Sequence, residues 1–157
     1  MLESLKKLFG DLGGADREKT FDEGDYRVAA AALLVHAITI DGAVTDAERA
    51  RLHDVLKARF SLDEAQTAEL IEQATQAEGE AVDLYHFTRL INRSLDDDGK
   101  KRIIEMMWEM IYADRHVNEF EDNVVWRVAD LLGVSSRERI GLRQQVEAAQ
   151  TNVETTD

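Results

Sequence analysis

One short stretch of this sequence occurs twice. Asp41-Gly42-Ala43-Val44-Thr45-Asp46-Ala47-Glu48 reappears as Asp114-Arg115-His116-Val117-Asn118-Glu119-Phe120-Glu121, with the shared skeleton Asp-x-x-Val-[Thr/Asn]-[Asp/Glu]-x-Glu. Each copy follows a long apolar segment and precedes an amphipathic one, so each reads as a tight junction between two helices. The chain contains no proline, and Ala, Leu, Glu, Gln, Arg and Lys dominate it. These residues lose little side-chain freedom in a helix, and no segment alternates with a period of two. The expected class is therefore all-α.

The length of 157 residues suits one domain with a real core. The pattern predicts a single compact helical domain of about seven to eight helices. Two pseudo-symmetric αα repeats would carry the acidic turns, with two further helices between them. Residues 1–12 read as an amphipathic helix with Leu2, Leu5, Leu8, Phe9 and Leu12 on one face. Residues 13–25 read as a linker, 26–150 as the helical domain, and 151–157 as a disordered polar tail.

Within the domain, Asp25 to Ile40 is apolar nearly all round, the mark of a buried helix. His36 within it is expected to be a packed residue rather than a ligand. Ser61 and Glu64 have the spacing of a capping box, as do Ser135 and Glu138. Gly79 and Gly133 suit the residue just past a helix end, and Asp83 suits an N-cap. Asp96, Asp97 and Asp98 complement the dipole of the helix they open. Glu105 and Glu109 lie one turn apart and share a face. The indoles of Trp108 and Trp126 would each need an acceptor if buried.

Net charge is −13, which repels a phosphate backbone, so nucleic-acid binding is not expected. The absence of cysteine removes disulfides and thiolate metal sites. No run of about 18 apolar residues exists to span a bilayer, and residues 1–12 lack a signal-peptide core. The cytoplasm is the expected location.

The acidic turns admit two accounts. Thr45 with Glu48, and Asn118 with Glu121, fit an N-cap with an acid at N3, and Gly42 suits a left-handed helix stop. Capping explains Asp41 and Asp114 less well, because an acid at a helix C-terminus meets the negative end of the dipole. A hard cation with oxygen ligands, Ca²⁺ or Mg²⁺, would relieve the crowding, and so would hydrogen bonds from turn N–H groups. EF-hand spacing fails, since Leu52 would fall at the bidentate position. Glu-x-x-His, His-Glu-x-x-His, a phosphate loop and a Gly-x-Ser-x-Gly elbow are all missing. No catalytic constellation is visible, and the chain is expected not to be an enzyme.

Ala31-Ala32-Leu33-Leu34 followed by Ile40 to Glu48, then Tyr112 to Glu121 and Leu131-Leu132-Gly133, resembles the TerB-like tellurite-resistance family. That family also forms the N-terminal region of a membrane-anchored J-domain co-chaperone. The resemblance covers residues 26–150 and implies an all-helical domain linked to tellurite and stress responses. It further implies metal ligands at Asp41 and Glu48 in the first turn and at Asp114 and Glu121 in the second. Arg115 stands where the first turn has Gly42, which places a positive charge beside Asp114. Two functions follow as expectations. One is a non-enzymatic cation-binding module acting through partner proteins. The other is a protein-interaction adaptor with purely structural turns, membrane-associated through residues 1–12.

Overall fold

The structure, a computed structural model, describes residues 21–22, 24–40, 42, 44–81, 83–112 and 119–155. The amphipathic segment 1–12, most of the expected linker, and Asp41, Asp114 and Arg115 lie outside these residues. Among the described residues seven helices follow in order: α1 (Tyr26–Thr39), α2 (Asp46–Arg59), α3 (Glu64–Glu80), α4 (Tyr85–Ser94), α5 (Asp97–Ile111), α6 (Glu119–Leu132) and α7 (Ser136–Thr155). No strand occurs among the described residues. The class is all-α.

Helix α1 is the axis of the domain. Ten of its residues, from Val28 to Ile38, are buried. The run Ala29 to Ala32 keeps the backbone thin, so neighbours approach closely, and α1 packs on α2, α3, α4, α5 and α6. Burial on every side is what an all-round apolar helix requires. Asp25 caps it, accepting from the Arg27 N–H at 2.9 Å. Partial burial alone would raise the Asp25 carboxyl. The Arg27 guanidinium and backbone N–H outweigh that and hold it below the ordinary carboxylate range. Phe21, inside the stretch expected to be linker, is also fully buried, with Arg27 over its ring.

The second deeply buried helix is α5, whose Ile103, Ile104, Met106, Met107, Trp108, Met110 and Ile111 join the same core. The methionines are core, as their helical spacing suggests. Asp96 caps α5 by accepting from Gly99 N–H at 2.9 Å, with Asp97 and Asp98 in the first turn. Helix α7 covers α5 and α6.

Three helix ends differ from the sequence reading. Ser61 does not cap α3. It takes a left-handed φ of 53° as the residue that stops α2, and Leu62 N–H reaches back to Lys57 O at 3.0 Å. That six-to-one bond is the Schellman closure. The cap of α3 is Asp63, which forms the box with Gln66 instead. Gly79 does not end α3 either, for the helix continues through it to Glu80. Asp83 stands one residue before the N-cap Leu84, yet its carboxylate still accepts from Tyr85 N–H at 2.9 Å. Elsewhere the reading holds: Gly133 stops α6 at φ 78°, and Ser135 and Glu138 make the expected box. The backbone of α7 runs on to Thr155.

Candidate functional site

The first acidic turn joins α1 to α2. At the end of α1 the last carbonyls have no partner within the helix. One of them, Thr39 O, accepts from Gly42 N–H at 2.9 Å, and His36 O accepts from the Thr39 hydroxyl at 3.2 Å. Gly42 then turns the chain with φ 93°. A Cβ there would meet nothing within 4 Å, so glycine is required by the backbone angle and not by crowding. Val44 packs on the core and Thr45 opens α2.

Thr45 and Glu48 close a reciprocal capping box. Glu48 N–H donates to Thr45 Oγ1 at 3.1 Å, and Thr45 N–H donates to Glu48 Oε1 at 3.0 Å. Of the two ligands expected in this turn, Glu48 thus has one oxygen engaged in the cap. Its Oε2 has no hydrogen bond among the described residues. Asp41 lies outside them. In the second turn Glu121 is half-buried on α6 and already engaged in an interaction, while Asp114 lies outside the described residues. Among the described residues, no three His, Asp or Glu side chains gather into a ligand set.

Elsewhere the structure assembles contacts that sequence spacing does not reveal. Arg59, in the last turn of α2, forms ion pairs through Nη2 with both Glu105 and Glu109 of α5. The shared face of the two glutamates is legible in the sequence; their cation is not. Beside the second turn, Arg143 of α7 donates to the Tyr112 hydroxyl at 2.6 Å and lies 3.4 Å from Asp122. Its guanidinium also sits 5.3 Å from the Trp108 ring centre. Trp108 is buried and its Nε1 has no acceptor among the described residues, whereas Trp126 is 51% exposed. His36 pairs with Glu78 at 3.2 Å, tying α1 to α3 as a half-buried structural residue.

On α2, His53 lies between Asp54 at 3.0 Å and Glu64 at 2.8 Å, and Lys57 also pairs with Glu64. The hydrogen bond to Asp54, and then that to Glu64, raise the imidazole above its ordinary value.

Residues 27–144 match the family described as Tellurite resistance protein TerB. No curated protein matches the chain. The fold is also similar to a crystal structure of a protein of unknown function, PG1108, from Porphyromonas gingivalis W83. The TM-score is 0.58 at 18% identity, covering 80% of this chain and 98% of that one. Likeness at that identity speaks for the fold alone.

Proposed function

The chain belongs to the TerB family of tellurite resistance proteins, and from that premise we propose a non-enzymatic module that binds a divalent cation at its first acidic turn. It acts through partner proteins in a tellurite or stress response in the cytoplasm. The observation that carries this reading is the construction of the turn. The carbonyl end of α1, the negative end of its dipole, abuts a Gly42 turn fixed by the Thr45–Glu48 box. Carbonyl and carboxylate oxygens on a fixed turn suit Ca²⁺ or Mg²⁺. Glu48 would contribute the oxygen that the cap does not use, with Asp41 as the second acid. Asp114 and Glu121 form a weaker counterpart, because Arg115 supplies an internal positive charge next to Asp114.

Titration calorimetry with Ca²⁺, Mg²⁺, Mn²⁺ and Zn²⁺ tests this directly. Wild type should bind at least one ion, and Asp41→Asn combined with Glu48→Gln should abolish binding while leaving the fold intact. Glutamine at N3 can still make the capping box, so loss of binding would report on charge and not on unfolding. Equal binding by the double variant would remove these residues as ligands.

The second reading, an adaptor with structural turns, is favoured by one observation: Glu48 Oε1 already serves the cap. Absence of ion binding by the wild type would leave this reading standing.

A further inference from the structure

A cleft of about 750 Å³ opens between α1, α3 and α4, and none of its lining residues belongs to the acidic turns. Phe21, Val28, Phe87 and Leu90 give it an apolar floor, and Ala77 narrows one wall. Its exposed lining carries the acids Asp22, Glu80 and Asp83, together with His86. The side-chain oxygen of Gln73, which lines the cleft, is buried and has no donor among the described residues. The cleft is therefore apolar below and anionic above, with one unused acceptor.

We propose that the chain's own segment Met1 to Leu12 seats in this cleft, its apolar stripe on the floor and Lys6 and Lys7 toward the exposed acids. Three observations identify the occupant. The described chain begins at Phe21, which is itself part of the floor, so the preceding residues start at the cleft. The segment offers Leu2, Leu5, Leu8, Phe9 and Leu12 at helical spacing, with Lys6 and Lys7 off that stripe. Residues 13–20 reach at most about 26–29 Å when extended, enough to fold back yet short enough to keep the local concentration high. A bilayer is a poorer match, because an anionic surface repels a chain of net charge −13.

The chain has no cysteine, so pairs can be introduced cleanly. Ser4→Cys with Gln76→Cys places one thiol on the segment and one at the exposed cleft wall. Ser4→Cys with Gln145→Cys is the control, on an exposed position of α7, which packs chiefly on α5 and α6. With a short bis-maleimide, the first pair should join within one chain about ten-fold faster than the control. Glu80→Lys with Asp83→Lys should slow it, and Lys6→Glu with Lys7→Glu in the same chain should restore the rate. Equal rates for the two pairs would overturn the proposal, as would indifference to the charge reversals. Cross-links found only between chains would overturn it in favour of a second copy as the occupant.

Discussion

Helix α5 is held by two arginines that use opposite physics. Arg59 comes from α2 and meets Glu105 and Glu109, with all three side chains 27–28% exposed. Arg143 comes from α7 and meets the next face round, Trp108 and Tyr112, with Asp122 at its edge. The first clamp is Coulombic, and without its cation two carboxylates one turn apart repel each other. The second rests on a weakly hydrated guanidinium lying against aromatic rings, plus a hydrogen bond to a phenol. The same residue type thus gives one contact made of ion pairs and one that adds aromatic faces and a phenol to its ion pair. Trp108 completes the contrast, since its ring face is used while its N–H is left without an acceptor among the described residues.

The largest expected effect is at Arg59. Arg59→Ala should cost about 2 kcal/mol, below a fully buried pair because these groups are partly solvated. In urea denaturation the deficit should shrink at 1 M salt, which screens the remaining repulsion at roughly 3 Å. A deficit independent of salt would mean that the arginine stem, not its charge, was holding the helices together.

Lysine substitution sharpens the difference. Lysine keeps a positive charge near Glu105 and Glu109 but cannot reproduce the planar contact over Trp108. Arg143→Lys should therefore lower stability by about 1 kcal/mol, and Arg59→Lys by less. The reverse order in melting temperature would break the assignment of the two clamps.

A gain is expected two residues past Arg59. Ser61 holds a left-handed φ of 53° where the matching stop of α6 uses Gly133 at 78°. Ser61→Gly should stabilise the protein by roughly 1 kcal/mol, and Gly133→Ser should cost a similar amount. No gain at Ser61 would show that its hydroxyl makes a contact worth as much as the backbone strain.

The smallest effect belongs to His53. Its imidazole is raised by Asp54 and Glu64, so the folded state holds the proton more tightly than the unfolded chain does. The resulting stability is fully present below the unfolded value, about 6.5, and is lost as pH rises through the folded value. The groups are exposed, so solvent screening keeps the effect small. His53→Ala should flatten the pH dependence of the melting temperature over that window. An unchanged profile would assign the dependence to another group.

Features whose partners lie within about six residues are legible in the residue order, because local backbone geometry fixes them. All-round apolarity placed α1 in the core, Gly42 took its positive φ, and the Thr45–Glu48 and Ser135–Glu138 boxes closed as their spacing required. Even at short range, competing signals misled. The spacing of Ser61 and Glu64 reads as a capping box, but the stop of α2 claims Ser61 and the cap of α3 is Asp63. Gly79 could have ended α3, yet the helix runs on to Glu80. Contacts between residues far apart in the chain came from packing alone: Arg59 with Glu105 and Glu109, Arg143 with Trp108 and Tyr112, and the cleft over Phe21 and Phe87 with its exposed acids. Periodicity tells which face of a helix is apolar. It does not tell which neighbour that face meets, since many pairings bury similar area, and the rotation and axial position of each helix are set by packing all of them at once.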